Sequence, residues 1–510
     1  MVTRFRPVGP SLPSVRVATE PAQVSFRENR SAWALRQAWQ VGQRVTELVL
    51  ELLQGLDLSQ PAALFDLESR LYPLLASRAG DAVVAAVIAA AHEDPEVYAK
   101  AMALAAASPA RAQRSGQQVR VNLPGGSAVE VTTPYYLKRR TRRKTGRGTS
   151  QGARSRAGTK ARGKAGTGFY PILNQLGIHN RLSPTLASEI SRLVASGTME
   201  DAQAVLAARG VHLNVKVVRR VALGVADRAL SYRDWCVEQA QALKPKVGGA
   251  RGKRIAILLD GGRLRIRESR RQGRPRKTGH RGFDANWREP KVFVIYELDA
   301  EGRKKRRHGL LRYDGTLGDA DRLYELLAAE LIRLGADQAA EWVILGDGGE
   351  WIWNRVPWLI AQVGIAPDRV TEVLDFFHAS QHVQEKAEAI GGSPADIQAN
   401  KATARRLLRF GDVEGLLELL GPDGYVTVHA ERVRYVRVRR AKLPIASGAV
   451  ESCIRRVINL RMKGCGVFWT ASVAEGLLHL RCQLISGRWP EFIRATLAPE
   501  TNPIVLRQAA

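Results

Sequence analysis

The sequence predicts an α/β protein with a mixed five-stranded sheet, helices on the faces of that sheet, and helical regions before it. Two apolar runs of strand length each end in an aspartate that glycines follow, LLDGG at 258–262 and ILGDGG at 344–349. Amphipathic helical patterns alternate with strand patterns from residue 320 onward. A chain of 510 residues is long enough for about three domains.

The composition indicates a polyanionic partner. The net charge is +29, and each phosphate that Lys or Arg neutralises releases condensed counterions. A basic ribosome-associated protein or a binder of membrane surfaces is the alternative. The four cysteines form no C-x-x-C pair, which argues against a zinc ribbon and fits a reducing compartment.

Targeting features predict a cytoplasmic protein rather than a membrane protein. The longest apolar stretch, residues 79–92, is too short to span a bilayer. The N-terminus has arginines but lacks the apolar core of a secretory signal.

The N-terminal regions are predicted to be a disordered arm (1–30), a helical region (31–132) and a basic flexible linker (133–168). Residues 138–164 contain 12 Lys or Arg among 27 residues and no acidic residue, so this segment cannot bury a core. It is either a solvated charge run or a segment that contacts DNA phosphates. The predicted contacts are Arg139, Arg140, Arg142, Arg143 and Lys144.

Residues 169–243 show three helical patterns. Ser183 precedes a proline, and Thr198 precedes an acidic first turn, so both are predicted to cap helices. Two short helices followed by a basic third helix are typical of a helix-turn-helix. A small helical bundle is the alternative. The third helix carries the predicted DNA contacts Lys216, Arg219 and Arg220.

Residues 250–378 and 441–495 are predicted to form the catalytic domain. Its helical patterns are 320–335 and 350–364, with Pro357 as a possible kink, and its strand patterns are 254–259, 263–269, 291–298, 341–346 and 370–378. In the ribonuclease H-like arrangement of this order, the first and fourth strands are neighbours. Asp260 and Asp347 then meet at one edge of the sheet, where ligands of such sheets collect.

Two neighbouring carboxylates predict a site for divalent cations. Their mutual repulsion at low dielectric is relieved by a metal, and two Mg²⁺ ions can clamp the attacking and leaving oxygens of a phosphoryl transfer. We expect the glycines after each aspartate to leave room for metal and phosphate. A third carboxylate is expected, and Glu451 near the start of a helix is the candidate. An ordinary ion pair with Arg455 is the alternative.

Four blocks carry a family resemblance: LLDGG, LGDGGEWIW, LDFFHASQH and SGAVESCIRRVINLRMKGCGVFW. They resemble conserved blocks of the DDE transposases of bacterial insertion sequences, most of all the Kra-type families, which are distantly Mutator-like. The match covers residues 250 to 495. The resemblance implies that Asp260, Asp347 and Glu451 bind two Mg²⁺ ions, for which Mn²⁺ can substitute.

The resemblance also implies a substrate and an assembly. The expected substrate is duplex DNA, both the terminal repeats of the element and the target. The expected enzyme is a dimer or a larger homo-oligomer that associates with the bacterial nucleoid. Residues 379–440 are expected to be an all-helical insertion, and 496–510 a C-terminal tail. A cysteine-rich motif found upstream in many relatives is absent here, so DNA recognition is expected to differ.

Further side chains are expected around the site. The resemblance makes Asp375 and His378 auxiliary residues. His382 is expected to be structural, because no glutamate completes a zinc motif with it. One of Trp351 and Trp353 is expected in the core and the other beside the site. The predicted phosphate contacts are Arg455, Arg456, Arg461 and Lys463, and Trp469 is either a base-stacking residue or a core aromatic.

The predicted activity is therefore metal-dependent cleavage and strand transfer at the ends of an insertion sequence. One alternative is a metal-dependent DNA nuclease that performs no strand transfer. The other is a non-catalytic DNA-binding protein descended from a transposase.

Overall fold

The computed structural model describes residues 21–54, 79–108, 112–137, 168–269, 282–305, 307–446, 448–464 and 466–498. Most of the predicted arm, the tail from 499 and the basic segment 138–164 lie outside these residues. The chain divides into two compact units. One comprises Met1–Leu186 and Val205–His212, the other Ala187–Ala204 and Leu213–Ala510.

The first unit combines helices with a β-hairpin. Its elements are α1 (Arg30–Gln54), α2 (79–93), α3 (Pro95–Ala106), β1 (Ala112–Asn122), β2 (Ala128–Leu137), β3 (Gly168–Phe169) and α4 (Pro171–Gln175). The prediction that 31–132 is helical is therefore wrong for the β1–β2 hairpin. Val119, Val121 and Leu123 alternate with polar residues, and this period-2 face packs against Ile88 and Leu173.

The three helices predicted in 169–243 are present as α5 (Pro184–Ser196), α6 (Met199–Ala207) and α7 (Val215–Glu238). The predicted caps are confirmed. The Leu186 amide donates to the Ser183 hydroxyl at 3.3 Å, and Thr198 and Asp201 bond each other reciprocally at 3.0 Å. The helix-turn-helix assignment of these helices stays a prediction.

The second unit contains the predicted mixed five-stranded sheet. Its strands are β4 (Arg254–Gly261), β7 (Lys291–Glu297), β8 (Leu311–Thr316), β9 (Glu341–Gly346) and β10 (Val370–Leu374). They lie in the order β10-β9-β4-β7-β8. Strand β4 pairs parallel with β9 and antiparallel with β7, so the predicted first and fourth strands are neighbours. The central strands are apolar on both faces and buried.

One predicted strand is confirmed but lies outside the sheet, and one strand of the sheet was not predicted. The stretch predicted as the second strand, 263–269, forms β5 (Leu264–Ser269) and pairs with β6 (Phe283–Arg288) in a separate ribbon. The edge strand β8, LRYDGT, takes its place in the sheet. Its acidic residue, Asp314, is buried because His479 lies 3.0 Å and Arg233 3.5 Å from its carboxylate.

The helices around the sheet also differ from the prediction in one place. The single helix expected at 350–364 is broken between α9 (Glu350–Trp353) and α10 (Val356–Val363), just before Pro357. The remaining helices are α8 (Ala320–Arg333), α11 (Phe376–Ala389), α12 (Pro394–Phe410), α13 (Val413–Leu420), α14 (Gly424–Val428), α15 (Tyr435–Arg440), α16 (Gly448–Ile454), α17 (Ala471–Ile485) and α18 (Trp489–Leu497). The helical texture predicted for 379–440 is therefore present. None of the described helices has both the length and the apolar character that are required to cross a bilayer.

Candidate active site at the edge of the sheet

The two aspartates singled out in the sequence lie at equivalent positions of neighbouring parallel strands. Leu258 of β4 pairs with Leu345 of β9, and each aspartate comes two residues later. Adjacent strands lie about 4.8 Å apart, and equivalent residues of parallel strands project to the same side. The register therefore brings Asp260 and Asp347 together at one edge of the sheet.

Backbone amides orient both carboxylates. The Gly261 N–H donates to Oδ1 of Asp260 at 2.7 Å, and the Gly349 N–H donates to Oδ1 of Asp347 at 2.9 Å. Both aspartates are half-buried. They thus combine fixed oxygens with access from solvent, which suits a hard cation such as Mg²⁺ that keeps part of its water shell.

Asp375 and His378 lie at the start of α11, beside these aspartates. The strand predicted at 370–378 ends at Leu374 because the buried Asp375 caps α11 and accepts the His378 N–H at 2.9 Å. The imidazole Nδ1 lies 3.0 Å from the same carboxylate oxygen. The hydrogen bond to Asp375, together with the charges of Asp347 and Asp260, raises the pKa of His378 to about 8.

Glu451 lies in α16, as predicted, and α16 packs against β4 and β7. The side chain of Glu451 lies outside the described residues, so the choice between a metal ligand and an ion pair with Arg455 stays open. Cys453, two residues after Glu451 in the same helix, indicates the position of α16 relative to Asp260. Burial and the charge of Asp260 raise the pKa of the buried Cys453 thiol to about 12. The helix that carries Glu451 therefore passes close to Asp260.

The helix after Glu451 widens into a π-helical turn at Arg455–Asn459. Arg481, a buried arginine of α17, donates hydrogen bonds to carbonyl oxygens of this turn and of α5. Its Nε donates to Val457 O at 2.6 Å, and its other nitrogens donate to Arg456 O in the turn and to Ala195 O in α5. Single π-turns of this kind are frequent at functional sites. Arg481 was not predicted as a functional residue, because it lies in a helix whose other residues are typical of an apolar core.

The helical segment 379–440 contributes to the same edge of the sheet. A Cβ on Gly348 would lie 2.1 Å from the ring of Tyr425, so this ring packs directly on the backbone beside Asp347. Burial, then the charges of Asp347, Asp375 and Asp423, raises the pKa of Tyr425 to about 12. The sequence gave no indication of Tyr425, which reaches the site from a distant part of the chain.

His382 is held in the same helical segment rather than at the aspartates. Its Nε2 lies 3.2 Å from both carboxylate oxygens of Asp423, and its ring stacks on Tyr425 at a centroid distance of 4.1 Å. The described side chains contain no group of three His, Cys, Asp or Glu arranged to hold a metal ion. The side chain of Glu451 is not among them.

The glycines after the aspartates serve packing rather than access. A Cβ on Gly262 would lie 2.5 Å from Cδ1 of Ile458, and the space beside Gly348 is filled by Tyr425. The expectation that these glycines leave room for phosphate and metal is therefore wrong at both positions. They let the helical segments close around the ends of the strands.

The two tryptophans of EWIW divide as expected. Trp353 is buried, and its indole N–H donates to the carbonyl oxygen of Asp347 at 2.8 Å. Trp351 is half-buried, and the ammonium of Lys291 lies 5.3 Å from its ring centroid. Lys291, which was not predicted as a site residue, pairs with Gly261 at the end of the β4–β7 ladder, and its ammonium lies 3.5 Å from the Glu289 carboxylate.

The predicted DNA contacts differ in exposure, and some lie outside the described residues. Lys216, Arg219 and Arg220 are exposed on α7, and Arg455, Arg456 and Lys463 are exposed after Glu451. Arg461 is half-buried: it donates to Val194 O at 3.1 Å and lies over the ring of Trp469 at 5.3 Å. The cations Arg139, Arg140, Arg142, Arg143 and Lys144 lie outside the described residues.

Comparison with known proteins leaves the family open. No family model matches the chain, and no curated protein matches it. One solved structure with some likeness is the Drosophila P element transposase strand transfer complex, at 10% identity and a TM-score of 0.23. The match covers 64% of this chain and 84% of that chain. A likeness at this level establishes neither a fold family nor a function.

Proposed function

We propose that this chain is a DNA transposase of the DDE type with a ribonuclease H-like catalytic domain. One observation carries the proposal: Asp260 and Asp347 end neighbouring parallel strands in the same register. A fold gains nothing in stability from such a pair of carboxylates, so its presence favours a site for cations and phosphates. The motif resemblance around Asp347 and Glu451 gives the reaction its class.

The described residues fit a magnesium site. Asp260 and Asp347 would hold the metal, with Glu451 completing the set, and bound Mg²⁺ would activate water and stabilise charge on the phosphate oxygens. The chain's own contribution is orientation. The amides of Gly261 and Gly349 hold the carboxylates, and Trp353 holds the backbone of Asp347.

His378 and Lys291 would act on the DNA side of the site. The imidazolium of His378 stands beside Asp347 and Asp260, and the ammonium of Lys291 stands over Trp351. In this proposal both would hold the phosphodiester against the carboxylates. Strand cleavage at the element end would release a 3′-hydroxyl, and attack of that hydroxyl on a target phosphodiester would join the two DNAs.

The decisive experiment compares Asp347→Asn with Asp368→Asn. Asp368 is exposed in the turn before β10, at the opposite end of the sheet, so it is a matched control. We expect Asp347→Asn to bind duplex DNA as the wild type does, to lose both cleavage and joining in Mg²⁺, and to bind Mn²⁺ more weakly by paramagnetic resonance. Full activity of Asp347→Asn would refute the assignment.

The alternatives are separated by the products. Duplexes from the DNA flanking the gene are incubated with protein, Mg²⁺ and a plasmid target. Joined molecules are expected for a transposase, and cleavage without joining would identify a nuclease. No cleavage with any flanking duplex would favour a DNA-binding protein that has lost the activity.

A further inference from the structure

A surface of aromatic rings and cations covers the β5–β6 ribbon. Every residue of β6 is exposed, including 43% of Phe283 and 54% of Trp287. The guanidinium of Arg265 lies 5.3 Å from the ring centroid of Trp287 and 5.1 Å from that of Phe468. The ammonium of Lys463 lies 5.9 Å from the Trp287 ring. We call these five side chains the ribbon surface.

The ribbon surface is attached to two of the three segments that carry the predicted carboxylates, those of Asp260 and Glu451. Strand β5 begins at Leu264, only three residues after β4 ends at Gly261, the residue that follows Asp260. The chain that follows α16 contacts the ribbon through an isolated parallel β-bridge between Trp469 and Ile266. The Arg267 N–H donates to Trp469 O at 2.8 Å, and the Trp469 N–H donates to Arg265 O at 3.2 Å. The ribbon is therefore anchored next to the candidate active site.

Trp469, which was predicted either to stack on a base or to lie in the core, stabilises the contact between this segment and the ribbon. Its indole N–H donates to Met462 O at 2.8 Å, and the guanidinium of Arg461 lies over its ring. Trp287 has more than half of its surface exposed and stands among cations. Of Trp469 and Trp287, the more accessible indole is thus Trp287, which was not predicted as a site residue.

We propose that Trp287 stacks on an unpaired base of the DNA substrate beside the scissile phosphate, while Arg265 and Lys463 contact the flanking phosphates. The inference rests on the proposed function and specifies which side chains beside the candidate active site would hold DNA. A single DNA strand offers the two chemistries that this surface requires, a flat π face and regularly spaced negative charge. A second copy of this chain fits poorly, because each copy carries a net charge of +29.

The test measures affinity for DNA in EDTA, where no cleavage occurs. Fluorescence anisotropy is recorded for a duplex with a single-stranded overhang and for the blunt duplex of the same sequence. The control for Trp287→Ala is Trp358→Ala, because Trp358 is 42% exposed but belongs to α10. Trp287→Phe keeps a ring and tests whether Trp287→Ala merely unfolds the ribbon.

We expect Trp287→Ala to weaken overhang binding by about 5- to 150-fold, the range for losing one base–aromatic stack, and to leave blunt binding within about twofold. Trp287→Phe should retain most of the overhang affinity, and Trp358→Ala all of it. Arg265→Met should lower the slope of log K against log salt by about one. Equal overhang affinities of Trp287→Ala and Trp358→Ala would overturn the inference.

A surface that binds a second copy would give a different result. In that case Trp287→Ala would change the sedimentation coefficient and leave both DNA affinities intact, which also overturns the inference. Because binding is measured without metal, the inference and the proposed function fail separately. Loss of the overhang preference leaves the Asp347→Asn result untouched, and an inactive wild type leaves the binding result untouched.

Discussion

Trp353 should be the more important tryptophan of EWIW for stability, although Trp351 stands nearer the solvent side of the site. The Trp353 ring is 4% exposed, its N–H donates to Asp347 O at 2.8 Å, and the guanidinium of Arg432 lies 4.6 Å from its centroid. Arg432 is itself held by Glu372 at 2.6 Å. Trp353→Phe keeps an apolar ring but removes the donor.

The expected cost follows from these contacts. Leaving the part-buried Asp347 carbonyl without its partner costs about 1–3 kcal/mol, and the smaller ring leaves space worth about 1 kcal/mol more. We therefore expect Trp353→Phe to lose roughly 2–4 kcal/mol of unfolding free energy. Trp351→Phe, which removes no resolved hydrogen bond and keeps a face for Lys291, should lose less than about 1 kcal/mol.

The assay is urea unfolding followed by circular dichroism, because the substitution alters the fluorescence. Hydrogen exchange of peptides that cover residues 341–363 shows whether the loss is local to β9 and α9. Since the Trp353 bond holds the backbone of Asp347, DNA cleavage should fall with Trp353→Phe more than with Trp351→Phe. Equal losses of stability in the two variants would refute this account of Asp347's support.

Two further predictions concern neighbours of the aspartates. Gly348→Ala should cost about 1–3 kcal/mol, because its Cβ would lie 2.1 Å from the Tyr425 ring, and adding Tyr425→Ala in a double-mutant cycle should recover part of that cost; strictly additive losses would contradict the contact. For His378, whose folded-state pKa of about 8 is above its ordinary value, the stabilisation is complete below pH 6.5 and is lost as the pH rises through 8. In EDTA, His378→Gln should therefore destabilise the fold more at pH 6 than at pH 9, and a difference independent of pH would exclude this ion pair.

The features that the sequence predicts correctly depend either on residues close together in the chain or on the order of the strands. The apolar runs before Asp260 and Asp347 are unambiguous strands, and the order of elements places them side by side, as the pairing of Leu258 with Leu345 confirms. The helix caps at Ser183 and Thr198 are equally local. Each of these depends on residues within a few positions or on a general rule of chain topology.

The missed strand β8 shows what local pattern cannot predict. LRYDGT contains a charged residue and an Asp-Gly pair, which are typical of turns. It is a buried strand because His479 and Arg233, both distant in sequence, neutralise Asp314, and together they hold the pKa of that carboxyl below its usual range. Residues 263–269 were placed in the five-stranded sheet by mistake for the same reason, because their true partner is not evident from the local sequence. An alternating strand needs a partner, and nothing in RLRIRES identifies β6 in place of the sheet.

The glycines show how a correct motif can carry a wrong physical reason. DGG predicts close approach to the backbone, and close approach occurs, but the approaching groups are Ile458 beside Gly262 and Tyr425 beside Gly348. The aspartates are thus enclosed by one segment that follows the helix of Glu451 and by another from the helical region 379–440. Packing of these segments against glycine limits the directions from which the carboxylates can be reached from solvent. A bulkier residue at either glycine should therefore displace the surrounding helices and disturb the site without altering any acidic side chain.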